Sequence, residues 1–549
     1  MGRFYSQIAA LYNWSYFTGG ANDAKQLIKA SEDPFYERFQ LACDYMFVSK
    51  ENYNTSKVAW LRRKSEVIMT NRSVSSLKRI LFLAVLFCLL LLPACKPIAD
   101  IATSVMFTTV GSPVSVPDGE GGVYVAYQKN VRGLGRITYM QRLDAAGSPI
   151  WPGSGPRIYL ERIPGYARSG LRVGELVALE DGAILVWSLG EEIWAQRVDL
   201  MGKPLWDQGG IQVSTSFPAS DEGLPRLLRA VNDGRGRVVI AANLSDLSGV
   251  ALRRLYASGV LSGIEGVSVP PGFPETLELA QDKAGNVFIL WSQDIFWGIQ
   301  KVSADGQSEW GVDGIIPFAE MPGVLCESLV SDGEGGVIVL CETRPEAAET
   351  SAEEGTPLIV QHFDAQGEPL WQEEGLSLGA LVEAAYPSAL VTDGAGGAVV
   401  AWQSASGGID SQRVSGEGQL LWGPAGVEVL SEKRPFSLAA GSEPGEALIV
   451  WTEPEHRNNN VTVIRLWAQK LSADGSLVWD AAGTAFTALE SASTSLPQIF
   501  ANDKGGGWVT WAAGRSSGGH HQDTTYIQLI AVDGQPLLGE DGLNLSDLR

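Results

Sequence analysis

"VTDGAGGAVVAWQSASGGIDSQRVSGEGQLLWGPAG" runs from Val391 to Gly426 and reads as most of one small antiparallel sheet. "PSALV" just before it alternates and enters the turn "TDGAGG". "AVVAW" returns, rich in the β-branched and aromatic residues that favour strands. "IDSQRV" follows a loop, turns at "SGEG", and "QLLW" comes back. Asp-Gly and Gly-Gly supply the positive φ that tight hairpin turns need.

The unit recurs. "VSDGEGGVIVLCETR…PLIVQHFDAQGEPLWQEEG" covers Val330 to Gly375, and "PDGEGGVYVAYQKNVRGLGRITYMQRLDAAGSPIWPGSG" covers Pro117 to Gly155. Weaker copies begin near Glu180, Asn232, Gln281, Gly441 and Asn502, which makes eight. The turn glycine after the third strand marks them at Gly147, Gly202, Gly259, Gly306, Gly367, Gly418, Gly475 and Gly534. Four residues later stands a tryptophan in six copies: Trp151, Trp206, Trp310, Trp371, Trp422 and Trp479. Gly263 and Leu538 break that column. A second column lies in the preceding strand: Tyr127, Trp187, Ala242, Trp291, Cys341, Trp402, Trp451 and Trp511. Such recurrence reads as blade core, not as a platform for ligand. Four-strand units near this period match propeller blades, whose faces are buried only when stacked radially. The fold expected is all-β: an eight-bladed β-propeller of four-stranded antiparallel blades over residues 111–549.

Cys326 lies six residues before Asp332 and Cys341 nine after it, so the two face each other across the hairpin. The matching residues of the next copy are Pro387 and Trp402. Directly opposed residues come within disulfide range. A structural disulfide is expected, the alternative being two buried thiols. No Cys-x-x-Cys spacing suggests redox work.

Further upstream, Ile80 to Ala94 carries no charge and follows Arg72, Lys78 and Arg79. Fifteen residues span only ~22 Å as a helix, short against a hydrocarbon core of ~30 Å. The run suits the apolar core of a signal peptide. Its end, Leu92-Pro93-Ala94-Cys95, resembles a bacterial lipobox. That resemblance implies a signal peptide over 69–94 and a diacylated Cys95 as new N-terminus. An uncleaved membrane anchor is the other reading, and both place the rest outside the cytoplasm. Residues 1–68 read as a mis-assigned extension or a short helical region, because Met69 opens a well-formed signal start. Residues 95–110 would be a tether and a possible ring-closing strand.

The whole chain carries 41 Lys and Arg against 63 Asp and Glu, a net charge of −22. The part after Ala94 alone stands at −27. Such a surface repels phosphate backbones, so nucleic acid is not an expected partner. Lipid, not a basic patch, would have to hold the protein at a membrane.

The copies differ mainly in their connections. Between second and third strands, copy five inserts "ETRPEAAETSAEEGTP", copy seven "TEPEHRNNNVT" and copy eight "AAGRSSGGHHQDTT". Between units lie "PRIYLERIPGYARSGLRVGE", "TSFPASDEGLP" and "VSVPPGFP". In an antiparallel blade the connections after strands two and four share one side, so the variable length gathers on one face. Irregular loops on a rigid scaffold suit recognition; drift at tolerant surface sites is the other explanation.

Catalytic signals are sparse. Of the four histidines, His362 takes the position of Arg142, Arg197 and Arg413, while His520 and His521 fall in a Gly/Ser-rich loop. His456 belongs to the insertion of copy seven, and no metal-binding set is expected. Arg142, Arg197, Arg254, Lys301, Arg413 and Lys470 form a basic column. It either points at the channel or pairs with turn carboxylates, and pairing is preferred. No Gly-x-Ser-x-Gly, His-Glu-x-x-His or phosphate loop is present.

"DAAGSPIW" (Asp144–Trp151), "DAQGEPLW" (Asp364–Trp371) and "SADGSLVW" (Ser472–Trp479) resemble the Asp/Gly…Trp motifs of eight-bladed quinoprotein-like propellers. That group holds lipid-anchored outer-membrane assembly scaffolds and quinone-dependent dehydrogenases. This chain lacks the usual threonine before the glycine and shortens the gap. "SADGQSEW" (Ser303–Trp310) also resembles the Asp-box of sialidase propellers, with its glycine displaced. The resemblance implies fold and compartment and transfers no catalytic residue. The expectation is a monomeric, lipid-anchored, extracytoplasmic binding or scaffold protein without a cofactor. It would recognise an envelope protein or a surface polysaccharide through one face. The alternatives are an extracellular enzyme on saccharides or small molecules, and a structural cell-surface protein.

Overall fold

The computed structural model describes residues 112–548, apart from 132–134, 162–171, 190–191, 208, 215–226, 244–249, 264–275, 294–295, 312, 319–322, 344–355, 382–387, 405–407, 433, 458–460, 491–492 and 518–519. The proposed signal peptide, Cys95 and the possible ring-closing strand therefore lie outside the described residues.

Eight antiparallel sheets follow one another along the chain with their strands in sequence order, except that in the last Ser493–Thr494 and Gln498–Ala501 both pair with Gly507–Ser517. Their first strands are Val114–Pro117, Arg172–Leu179, Leu228–Asn232, Thr276–Gln281, Val324–Ser331, Ser388–Thr392, Phe436–Ala440 and Gln498–Ala501. Consecutive first strands are neighbours all the way round, and that of blade 8 meets that of blade 1. The first strands therefore surround the axis, which explains their mostly half-buried residues. Second strands such as Ala398–Gln403 are buried at every residue. Alternate side chains of a second strand enter different cores. Tyr124 and Ala126 pack towards blade 2, whereas Val123, Val125 and Tyr127 pack towards blade 8. A strand covered on both faces reads as a continuous apolar run. An apolar cluster fills every interface between neighbouring blades, including the one between blades 8 and 1. An eight-bladed propeller is thus the architecture.

The two repeat columns meet across those interfaces. All eight turn glycines have φ between +79° and +89°. A Cβ on Gly202, Gly418, Gly475 or Gly534 would lie within 3 Å of the preceding blade's Trp151, Trp371, Trp422 or Trp479. Each of these four tryptophans also donates its indole N–H, at 3.0 Å, to a carbonyl in that next turn: Leu200, Gly416, Ala473 and Val532. Trp310 does the same to Ala365 at 3.1 Å. The breaks in the column have physical substitutes. Leu538 of blade 8 packs on Gly147 of blade 1, and Arg254 covers Gly306 where Gly263 replaces tryptophan. Trp206 and Trp371 are only half-buried, so this column is a seal between blades as much as a core.

Second-strand Trp187, Trp291, Trp402, Trp451 and Trp511 are buried. Trp187, Trp451 and Trp511 reach across their own sheet to Gly210, Gly483 and Gly542, at the start of the outer strand. The near-constant glutamine has a purely local task. The Gln412 amide donates to Gly423 O, and its carbonyl accepts from the N–H groups of Arg413 and Trp422.

The basic column pairs with turn carboxylates. Arg142 binds Asp118 and Glu120, Arg197 binds Asp181, Arg413 binds Asp393, and Lys470 binds Glu446. Several of these side chains also reach the next blade. Arg413 shares Ala473 O with Trp422, and Lys301 shares Ala365 O with Trp310. His362 sits between the Asp332 carboxylate at 2.9 Å and Gly416 O at 3.0 Å. Burial disfavours ionised Asp332, but hydrogen bonds from His362 and from the Glu334 and Gly336 N–H groups hold its carboxyl below the ordinary value.

Among the described residues blade 4 pairs three strands, and Ile299 and Ile315 form an isolated bridge where its outer strand would lie. Three expectations need correction. The insertions of copies seven and eight lengthen hairpins instead of forming loops. Their strands are Ala447–Arg457 with Val461–Leu471, and Gly507–Ser517 with His520–Ile530. His520 and His521 accordingly pair with Ser517 and Ser516. Trp402 faces Ser388, not Pro387. A bulge that skips Glu327 brings Cys326 opposite Cys341, as the bulge that skips Gly174 brings Val173 opposite Trp187 in blade 2. Those two buried cysteines are joined by a disulfide.

Ring closure needs no exchanged strand among the described residues. Blade 1 takes all four strands from Val114–Glu161, and blade 8 all of its own from Ser493–Asn544. Ser115 bonds Gln498 and Thr510, Trp508 donates to Gly121 O, and Ser154 donates to Leu548 O.

Gly418→Ala is expected to lower stability by about 2–4 kcal/mol, from strained φ plus a Cβ forced against Trp371. Gly396 has φ +86° but nothing within 4 Å of its Cβ position, so Gly396→Ala should cost only about 1 kcal/mol. Equal denaturation midpoints for the two variants would show that the Trp–Gly contact does not matter. Replacing both Cys326 and Cys341 by alanine should remove about 3 kcal/mol, the loop entropy for their separation of 15 residues. Urea titration under non-reducing conditions measures it.

Candidate functional site

The two faces of the disc are built differently. One carries the turns between first and second strands and between third and fourth. Each is closed by its own backbone, and most also by an Asp, Asn or Ser side chain. Asp118 Oδ1, for instance, accepts from the N–H groups of Glu120 and Gly122 at 2.8 Å. Asp393 does the same for Ala395 and Gly397. The opposite face carries the hairpins between second and third strands and the connections between blades. The two hairpins of blades 7 and 8, with eleven residues in each strand, extend on that side. The clustering of variable length on one face follows from this topology.

The axis itself was not singled out by motif. Opposite the residue that precedes the second-strand tryptophan column, the first strands contribute one layer of eight: Val114, Glu175, Arg229, Glu278, Ser328, Ala389, Ser437 and Gln498. The layer is lopsided. Its three charged residues occupy consecutive blades 2, 3 and 4, and the other five positions are neutral. Glu175 reaches this register because a bulge skips Gly174, where the backbone accommodates Leu228 of the next blade. The layer lies towards the hairpin-bearing face, since first strands enter from that side.

Arg229 is the hub. Its Nη2 donates to Glu278 Oε1 at 2.7 Å and its Nε to Glu278 Oε2 at 3.2 Å, a two-bond fork. Its Nη1 donates to Leu228 O at 3.2 Å and stands 3.6 Å from Glu175 Oε1. Glu278 thus takes the hydrogen-bonded share of the cation and Glu175 only its field. The side chains of Glu175, Arg229 and Glu278 are 29%, 35% and 32% exposed, so solvent reaches all three from the axis. Burial pushes the Glu175 carboxyl up from 4.5 to about 7; Arg229 pulls it down and Glu278 raises it further. The cluster sets a carboxyl with a raised pKa beside a second carboxyl that is hydrogen-bonded to a guanidinium.

Across the axis, the Ser437 hydroxyl donates to Pro497 O at 2.6 Å. The Gln498 amide oxygen accepts from Ser115. Among the described residues, no group of three or more His, Cys, Asp or Glu is placed to hold a metal ion. No described helix is long and apolar enough to cross a membrane.

Sequence reading picked out the tryptophan columns, the cysteine pair and the basic column, and the structure puts all of these inside or between blades. It did not pick out Glu175, Arg229 and Glu278. A signal existed: counting back across each first hairpin from the residue before the tryptophan column finds them, once the bulge at Gly174 is allowed.

No protein-family model and no curated protein matches this chain. Among solved structures it is similar to the BP39L lectin from Burkholderia pseudomallei, with 13% identity and a TM-score of 0.40, over 68% of this chain and 98% of the lectin. It is also similar to the polysaccharide lyase Uly1, at 12% identity and a TM-score of 0.38, over 69% of this chain and 93% of that one. A prolyl endopeptidase structure gives 9% identity and a TM-score of 0.40, over 78% of this chain but only 56% of its own. These likenesses concern the fold alone.

Proposed function

We propose that this chain is an extracytoplasmic recognition propeller, lipid-anchored through Cys95, that binds a protein partner with a basic surface. The observation that carries the reading is the difference between the faces. One is closed by self-satisfied turns, and the other carries the extended hairpins of blades 7 and 8 above the mouth of the axis. The net charge of −27 after Ala94 favours a basic partner through long-range attraction. A surface polysaccharide is the other candidate on the same face.

Crosslinking in native cells, followed by capture with purified protein, tests this reading. A variant with both hairpins trimmed to the length of blade 6 should lose the crosslinked neighbour while keeping its thermal midpoint. Unchanged capture by the trimmed variant would refute it. Mass analysis of membrane-extracted protein should find a diacylated N-terminus at Cys95.

A second reading, an enzyme on saccharides, is favoured by one feature. Glu175 and Glu278 share a cation unequally, which is how paired carboxylates are set apart as acid and base. Release of reducing ends from a polysaccharide panel, abolished by Glu175→Gln, would establish it.

The same carboxyl makes a stability prediction. Its folded pKa lies above the unfolded value, so folding takes up a proton between about 4.5 and about 7. Its contribution to stability therefore falls as pH rises through that window and levels off above it. The full shift corresponds to about 3 kcal/mol, and partial exposure should reduce that to about 1–2 kcal/mol. Glu175→Gln should gain on the native protein by that amount between pH 5 and pH 8, as measured by paired urea titrations.

A further inference from the structure

The axial cluster contains two carboxylates and one guanidinium, and the guanidinium is committed to Glu278 through two hydrogen bonds. Glu175 keeps 3.6 Å from Arg229, beyond hydrogen-bonding distance. The other five positions of the layer are Val114, Ser328, Ala389, Ser437 and Gln498, so no second cation in the layer balances the second carboxylate. When Glu175 is ionised the site carries one uncompensated negative charge, on the axis and within reach of solvent.

We propose that this cluster receives a primary ammonium group, the tip of a lysine side chain projecting from the basic partner. This rests on the recognition reading above and names the contact at its centre. A lysine fits for three reasons. Its stem is long and slender, so it can enter a channel mouth while the partner's backbone stays above the disc. Its ammonium has three donors for carboxylate oxygens on blades 2 and 4, which flank Arg229 on blade 3. Arg229 does not repel it strongly, because the Glu278 fork neutralises the guanidinium. A divalent metal fits worse: the third group at the site is a cation, and no three-ligand set is formed among the described residues. The raised pKa of Glu175 agrees with a carboxylate awaiting a counter-charge, and ligand entry should expel its proton.

The test uses the propeller as purified and a short peptide with one lysine flanked by neutral residues, alongside the same peptide acetylated at Nζ. Calorimetry at pH 7 in two buffers of different ionisation enthalpy reads affinity and proton release together. Binding of the lysine peptide, with a fraction of a proton released and affinity rising up to about tenfold from pH 6 to pH 8, is the expected result. The acetylated peptide should not bind. Glu175→Gln should weaken binding at least fivefold and abolish the proton release. Glu278→Gln tests the other carboxylate and should also weaken binding. Both variants are checked for an unchanged circular dichroism spectrum.

Lysine-peptide binding that ignores Glu175→Gln and Glu278→Gln would place the contact elsewhere on the acidic surface. That overturns this proposal and leaves the recognition reading standing. Absence of lysine-peptide binding, or equal binding of the acetylated form, also overturns it. Loss of native crosslinking on hairpin trimming decides the recognition reading independently.

Discussion

Everything in this ring depends on one contact repeated around it. A tryptophan at the outer edge of one blade lies against the turn glycine of the next and donates its indole N–H to a carbonyl of that turn. The hydrogen bond contributes only about 1 kcal/mol net. Burying the ring contributes more, roughly 2–3 kcal/mol. Packing therefore supplies most of the stabilisation, and the hydrogen bond fixes the angle at which one blade meets the next. A basic side chain from the same blade often bonds the same carbonyl, as Arg413 does at Ala473 and Lys301 at Ala365. That second donor is partly spent on its own turn carboxylate, so turn geometry and blade stacking are set together.

The contact explains why the repeat tolerates so much change elsewhere. Where tryptophan is missing, another side chain fills the glycine's hollow: Leu538 at the closure and Arg254 between blades 3 and 4. Blade 3 is nonetheless the poorest in these devices, with Ala242 and Gly263 in the two columns. The Glu175–Arg229–Glu278 cluster joins it to both neighbours at the axis. One set of residues thus ties three blades together and presents charge to the channel. A site built from first strands also inherits the rigidity of the ring, which loops alone would not provide.

The division of labour between faces follows from strand order. Tight turns on one side leave little freedom for new chemistry, since most of their Asp, Asn and Ser side chains already accept backbone N–H groups. Connections on the other side lengthen without disturbing the cores. Two of the insertions became hairpin strands because a paired extension satisfies its own backbone hydrogen bonds, which an open loop of the same length must leave to solvent.

By itself the sequence determined the number of blades, the position of each turn, the strands that are buried on both faces and the cysteine pair. All of these are local. Period-two alternation and positive-φ glycines act within a hairpin, and eight copies in constant phase leave no other architecture. What only the tertiary structure decided is which residues of different blades meet. Gly418 and Trp371 are each conspicuous in sequence, but nothing in their spacing says that they touch. Glu175, Arg229 and Glu278 lie about fifty residues apart in unequal copies, and the bulge at Gly174 shifts one of them out of simple register. Their union arises from radial stacking, which brings first strands together at the axis whatever the length of chain between them.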